Sequence, residues 1–409
     1  MKRFLRPLLL SLLWRGVARK VKFEQPRVIA VTGSIGKTSA KEAIALILET
    51  SDFPVVKTHG NLGTDIGVPL SLLGFDELPT RFGCITVVYR SLFPPCIQYQ
   101  KRPYYILEYS SDKPGDIAFL TDRLPADVGV ITQIAPVHLQ FFSDLAALTE
   151  EELAVRNGLK SGGVLVANAD DPAQLSLKQG SVPIIWYGIK DMLVERSEAG
   201  LLIIVDGVRY QTLLLGTHQL IPLLAAIAVG QMEGITTEDL QAQVALYQVP
   251  AGRGRLLEGR DGITIIDDTY NASPEAVKAS LRMLKEVAGT RTTVAVLGQM
   301  NELGAQAEAL HREVGAAAST VDRLVVIGPH GVAMKEAAID AGLPKDCITV
   351  FATSEECLER FAELIFEGDV VLVKASQNGM RLERLVKGLL KDQTDTKHLV
   401  RQSLSWKQV

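Results

Sequence analysis

The segment VIAVTGSIGKTSAKEAIALILE sets an apolar β-branched run, a tight glycine turn and a helical stretch end to end. A turn of this kind binds phosphate. Backbone N–H groups from Gly33, Ser34, Ile35, Gly36 and Lys37, with the positive end of the helix behind them, attract an anion. Lys37 adds a point charge for β- and γ-phosphates, and the hydroxyl of Thr38, followed by Ser39, can hold Mg²⁺. Position 31 holds Val31 where the generic Walker pattern has glycine, so the match is to the shorter and narrower form T-G-x-x-G-K-[ST]. Two further residues sit where a sheet presents ligands. Glu108 ends the apolar run YYILE, and His138 follows the apolar run from Val128 to Ile134. Both reach the carboxyl edge of a parallel sheet. Taken singly, each also reads as a solvated polar residue at a strand end.

The elements that must position these residues follow an alternating rhythm of short β-branched runs and helical stretches, the pattern of a sheet covered by helices. Expected strands are VIAVT, CITVVY, YYILEY, VGVITQI, GVLVAN and VPIIWYG, and after a linker near Pro250 the rhythm restarts with ITIIDD, TVAVLG, RLVVIG and VVLVKAS. PEAVKASLRMLKEVA reads as a helix, and Leu201 to Leu215 as a hairpin turning at Asp206-Gly207. The expected organisation is a basic amphipathic arm over 1–26, an α/β domain over 27–249, a second α/β domain over 250–392 and a polar, frayed tail over 393–409.

With 47% hydrophobic and 22% charged residues in a chain of 409, two well-packed domains are expected rather than disorder. A net charge of −4 without a basic, aromatic-interleaved patch argues against a nucleic-acid partner. The four cysteines form no C-x-x-C pair and stand near no histidine at metal-ligand spacing, which suits a reducing cytoplasm. The opening MKRFLRPLLLSLLWRGVARKVKF is too short in its apolar run to cross a bilayer and lacks a small-residue cleavage pattern. Two readings of it stand: a helix packed on the body of the protein, or a segment lying on a membrane surface.

The short phosphate loop resembles that of the Mur ligases and their folylpolyglutamate synthetase relatives. HGNLGTDIGVPLSLL, YYILEYSSDKPGDI, VITQIAPVHLQFFSDLAAL, IIDDTYNASPEAVKASL, VAVLGQMNELG and VVLVKASQNGMRLERLV continue the likeness in order, from Val28 to Leu390. The members most resembled add D-alanyl-D-alanine to a UDP-muramoyl tripeptide in peptidoglycan synthesis. The resemblance therefore implies a P-loop ATPase-type central domain, a Rossmann-like C-terminal domain, ATP with two Mg²⁺ ions, and an amide formed through an acyl phosphate. It implies further that Glu108 and His138 hold Mg²⁺ and that Arg253, Asp268, Tyr270 and Asn271 serve the nucleotide. Asn61, Asp65 and Lys374 would lie toward the substrate. Lys374 alone would equally be read as a surface lysine, and Asn271, Ser273 and Pro274 also suit a turn before a helix.

Several positions depart from the family. Its lysine, carbamylated on the side chain, stands fourteen residues after the histidine, and the same count from His138 reaches Glu152. Glu152 then reads either as a permanent carboxylate in place of a carbamate, with Glu150 or Glu151 as substitutes, or as an exposed glutamate in a run of three. Gly63-Thr64 replaces an Asn pair, Gln299 an aspartate and Gln377 an arginine. Only 27 residues precede the first strand, where these ligases carry a uridine-binding domain. Three functions follow: the D-alanyl-D-alanine-adding ligase, a Mur-like ligase with a non-uridylylated acceptor, or an ATP-binding regulator with weakened catalysis.

Overall fold

The computed structural model describes every residue except 1, 51–52, 61, 78–83, 137–140, 191, 198–199, 378 and 403–409, and no side chains at 2–5, 84 and 362. The chain divides into two compact units, the first made of 1–213 and 219–247, the second of 214–218 and 248–409.

The first unit is built on six parallel strands, β1 (Arg27–Thr32), β2 (Val55–Lys57), β3 (Tyr104–Glu108), β4 (Ala126–Ile131), β5 (Leu159–Asn168) and β6 (Ile184–Tyr187), in the order β2-β3-β1-β4-β5-β6. β1 and β3 are apolar on both faces and almost wholly buried, as a parallel sheet covered on both sides requires. β1 connects past β3 to β2, and β3 connects past β1 to β4, so the direction of winding reverses beside β1, the place where such sheets bind ligands at their carboxyl edge. The register sets Val31 opposite Glu108 and Thr32 opposite Ile131. The helices of this unit are α1 (Lys2–Glu24), α2 (Lys37–Glu49), α3 (Gly67–Leu72), α4 (Cys84–Leu92), α5 (Asp116–Arg123), α6 (Leu145–Leu153), α7 (Leu220–Met232) and α8 (Thr237–Leu246).

Two expectations change here. The run CITVVY, read as a strand for its β-branched residues, forms most of α4. Helical spacing turns Val87 and Ser91 inward while Ile85, Val88, Tyr89 and Leu92 face out. The inward face meets α1 at Gly16, where a Cβ would fall 2.7 Å from the carbonyl oxygen of Ser91. Close helix packing thus overrides strand propensity. The basic opening segment is the helix α1, which buries Leu13, Trp14 and Val17. Lys20 pairs with Glu24 at 2.5 Å within it, and the Trp14 indole donates to the Asp65 carbonyl at 3.0 Å. Packing on the body accounts for its inner face.

Beyond the sheet, β7 (Leu193–Ser197), β8 (Gly200–Val205) and β9 (Val208–Gln211) form an antiparallel meander. The turn between β8 and β9 sits at Asp206 (φ 49°) and Gly207 (φ 79°), both left-handed, as a two-residue hairpin turn needs. β9 ends at Gln211, so the hairpin is shorter than the expected span to Leu215.

In the second unit the order is β10-β11-β15-β12-β13-β14, with β10 (Arg255–Glu258) an antiparallel edge to β11 (Thr264–Asp268), β15 (Val370–Lys374), β12 (Thr293–Leu297), β13 (Arg323–Ile327) and β14 (Ile348–Phe351). Helix α9 covers Pro274–Ala288, the span read from the sequence, with Pro274 in its first turn, where the missing N–H costs nothing. The expected frayed tail is held down through residue 401. Leu399 joins the core beneath the sheet, and Arg401 pairs with buried Glu383 at 2.8 Å.

Candidate active site

The phosphate loop begins where β1 ends. Gly33 (φ 123°) and Gly36 (φ 91°) both take left-handed backbone, and a Cβ on Gly33 would fall 2.3 Å from the hydroxyl of Thr132. Only glycine fits such a turn. The loop differs from the expected cradle in which amides are available. Gly33 N–H donates to Glu152 at 2.9 Å, and the N–H groups of Ser34 and Ile35 donate to the Gln133 carbonyl at 2.7 and 3.1 Å. Those three bonds tie the loop to α6 and to the end of β4, so these amides face protein. What remains to attract an anion is the positive end of α2, whose first turn begins after Gly36 and runs through Lys37, Thr38 and Ser39. Ala40 N–H donates to the Gly36 carbonyl at 2.9 Å and closes that turn. Lys37 folds back to the Gly33 carbonyl at 2.5 Å, and the buried Ser34 hydroxyl has no hydrogen-bond partner among the described residues. A helix end, a lysine and an unspent hydroxyl suit a polyphosphate.

Two carboxylates flank this loop. Glu108, at the end of β3 and buried, accepts from the Thr38 hydroxyl at 2.8 Å, so both residues read as cation ligands meet. Lys41 lies 3.8 Å from the same carboxylate and donates to the carbonyls of Thr58 at 2.6 Å and Gly60 at 3.1 Å. This lysine was missed in the sequence, although it repeats Lys37 one helical turn on. Glu152, in the last turn of α6, is 2% exposed. It accepts from the Thr32 hydroxyl and from Gly33 N–H, with the Ser111 hydroxyl 3.5 Å away. The exposed-glutamate reading of Glu152 therefore fails. Its neighbours have other work: Glu151 accepts from Gly115 and Ile117 N–H at 2.7 Å, satisfying the start of α5, and exposed Glu150 pairs with Arg156 at 3.4 Å. Asp65 is paired with Arg6 of α1 at 2.8 Å. Asn61 and His138 lie outside the described residues, and among those described no group of three His, Cys, Asp or Glu side chains forms a metal cluster.

The second unit has its own polar edge. Asp268 and Lys374 end adjacent strands β11 and β15 in register, and their side chains pair at 2.6 Å. Ser280 donates to Asp268 at 2.6 Å and Lys374 to the Asn271 carbonyl at 3.0 Å. Lys374 is 3% exposed, which rules out the surface reading. Arg253 stacks over the Tyr270 ring at 4.2 Å. His218, also missed in the sequence because no motif surrounds it, is pushed down to about 4 by burial, with Lys374 and Arg282 adding and Asp268 opposing. Burial pushes Asp267 up to about 6; one of its oxygens accepts from Thr269 and the other has no hydrogen-bond partner among the described residues.

Comparisons with known proteins agree with this layout. The Mur ligase middle domain matches residues 31–230, and the Mur ligase, glutamate ligase domain matches residues 252–377. The UDP-N-acetylmuramoyl-tripeptide--D-alanyl-D-alanine ligase of Bacillus subtilis is 32% identical over 374 residues, covering 89% of this chain and 76% of that protein. The Escherichia coli protein of the same name is 29% identical over 385 residues, covering 90% and 78%. The crystal structure of MurF ligase from Thermotoga maritima in complex with ADP superposes with a TM-score of 0.74 at 25% identity, covering 93% of this chain and 82% of that one. A MurF crystal structure from Acinetobacter baumannii gives a TM-score of 0.77 at 22% identity, covering 94% and 81%, a likeness of fold. With two family domains in series and a relative at this identity along most of its length, the chain belongs to the Mur ligase family.

Proposed function

We propose that this protein is an ATP-dependent carboxylate–amine ligase that joins D-alanyl-D-alanine to the peptide carboxylate of a UDP-muramoyl tripeptide. The observation that carries the reading is the meeting of the α2 first turn, Lys37, Thr38 and Glu108 at the carboxyl edge of β1 and β3. The Bacillus subtilis and Escherichia coli relatives carry the name of that reaction, and the Thermotoga maritima structure holds ADP.

A carboxylate oxygen of the acceptor attacks the γ-phosphorus, an O–P bond forms, and ADP leaves. The amine nitrogen then attacks the acyl carbon, and the tetrahedral intermediate collapses to amide and inorganic phosphate. Lys37 and the helix end stabilise charge growing on the transferred phosphoryl group. Thr38, Glu108 and His138 would hold Mg²⁺, which screens two anions that otherwise repel. Glu152 supplies a permanent negative charge beside the loop where the family uses a carbamylated lysine. Arg253, Asp268, Tyr270 and Asn271 of the second unit serve the nucleotide; Asn61 and Asp65 of the first unit and Lys374 of the second serve the substrates.

The test is phosphate release from ATP with each substrate omitted in turn. Release that needs both UDP-muramoyl tripeptide and D-alanyl-D-alanine is expected. Release only with a different carboxylate would replace the acceptor, and nucleotide binding without turnover would remove the ligase reading.

A further inference from the structure

We propose that the outer face of α1 and α4 docks on the surface of an anionic lipid bilayer. On α4 and the residues after it, Ile85 is 82% exposed, Tyr89 62%, Phe93 66% and Ile97 51%, with Val88 and Leu92 completing the stripe. Tyr89 and Phe93 contact each other at 5.5 Å between ring centroids, an outward aromatic pair of the kind that favours a headgroup boundary. Solvent-facing apolar side chains at helical spacing on an already packed helix call for a cover.

Charge identifies the cover. Residues 84–103 contain Arg90, Lys101 and Arg102 and no acid. Residues 1–26 contain seven basic residues and one acid, Glu24, which is buried against Lys20 and Tyr105. The chain as a whole carries −4 while these two stretches carry a net +9, so the remainder carries −13 and this face stands out as net basic. Arg19 donates to the Leu92 carbonyl at 2.9 Å, which fixes a basic head beside the apolar stripe, and Arg15 and Lys22 are exposed on the same helix. A cavity of about 580 Å³ opens at the C-terminal end of α1, lined by Phe23, Ile97, Tyr99, Lys101 and Arg102, with room for a polar headgroup. A second copy of the chain would bring like charges together across a symmetric contact, which disfavours self-association. No helix among the described residues is long and apolar enough to cross a membrane, so the geometry is that of a face lying on the bilayer.

The experiment is co-sedimentation of the full chain with phosphatidylglycerol–phosphatidylcholine vesicles against phosphatidylcholine alone, at low and high salt. Binding is expected with the anionic vesicles and lost at high salt. Arg15→Ala and Lys22→Ala should each weaken it roughly fivefold, the loss of one basic residue near an anionic surface. The triple change Ile85→Ser, Tyr89→Ser and Phe93→Ser should weaken it by about tenfold or more, with thermal midpoint and phosphate release unchanged because these side chains are exposed. Equal binding to neutral vesicles, no binding, or binding unaffected by both sets of changes would overturn the proposal. So would a concentration-dependent dimer abolished by the triple change.

Discussion

The two sheet edges of this protein use acidic residues in opposite ways. At the first, Glu108 and Glu152 are buried and held by neutral donors, the hydroxyls of Thr38, Thr32 and Ser111 and the amide of Gly33, with Lys41 as the near cation at 3.8 Å. At the second, Asp268 is neutralised outright by Lys374 at 2.6 Å. The first edge sets two carboxylates, neither closely ion-paired, next to a phosphate-binding helix end, an arrangement open to cations. The second is electrically closed and holds its shape by itself. One edge is built to recruit charge and the other to fix position.

Breaking the closed edge should have the largest effect on stability. Lys374→Met leaves Asp268 buried without its partner, a change that typically costs about 3–5 kcal/mol, read as a lower thermal midpoint. Adding Asp268→Asn should restore much of that loss, since the uncompensated charge goes with it; a double variant no better than the single one would mean the pair is not what fixes this edge. At the open edge, Lys37→Ala should lower the rate of phosphate release by about 10²–10³-fold while leaving the thermal midpoint nearly unchanged. Glu152→Gln keeps the shape but removes the charge and should lower turnover by roughly 10–100-fold, the range for residues that support a metal site. Wild-type turnover should not depend on dissolved CO₂. Unchanged rates in both Glu152→Gln and Glu152→Lys would show that the carboxylate has no part in the chemistry.

The smallest effects concern pH in the second unit. His218 falls from its ordinary 6.5 to about 4, so the fold holds it neutral. Its contribution to stability is present above pH 6.5 and is lost as pH falls from there toward 4. Asp267 rises from 3.8 to about 6, so its contribution is present below 3.8 and is lost as pH rises through 6. His218→Gln should therefore flatten the acid-side loss in a series of thermal midpoints, and Asp267→Asn the loss on rising toward pH 6. The same slope in a variant as in wild type would acquit that residue.

Much of this was legible in the sequence because it is local. The glycine turn, the strand ends at Glu108, Asp268 and Lys374, and the helix Pro274–Ala288 each follow from residue type over a few positions. What was not legible depends on partners far along the chain. CITVVY has strand propensity, and only its packing on Gly16 of α1 makes it helical. The Gly33, Ser34 and Ile35 amides looked available for phosphate until Glu152 and Gln133, more than ninety residues away, took them. Glu152 itself could not be told from its neighbours Glu150 and Glu151, since burial separates three adjacent glutamates and type does not. His218 carried no signal because its environment is assembled from Asp268, Arg282 and Lys374.

The central claim is that ATP activates a carboxylate by direct phosphoryl transfer. It is tested most directly by supplying the acceptor with ¹⁸O in that carboxylate and analysing the phosphate released during amide formation. The account predicts one labelled oxygen in each phosphate, carried over when the acyl phosphate is broken by the amine. Unlabelled phosphate formed along with the amide would contradict it.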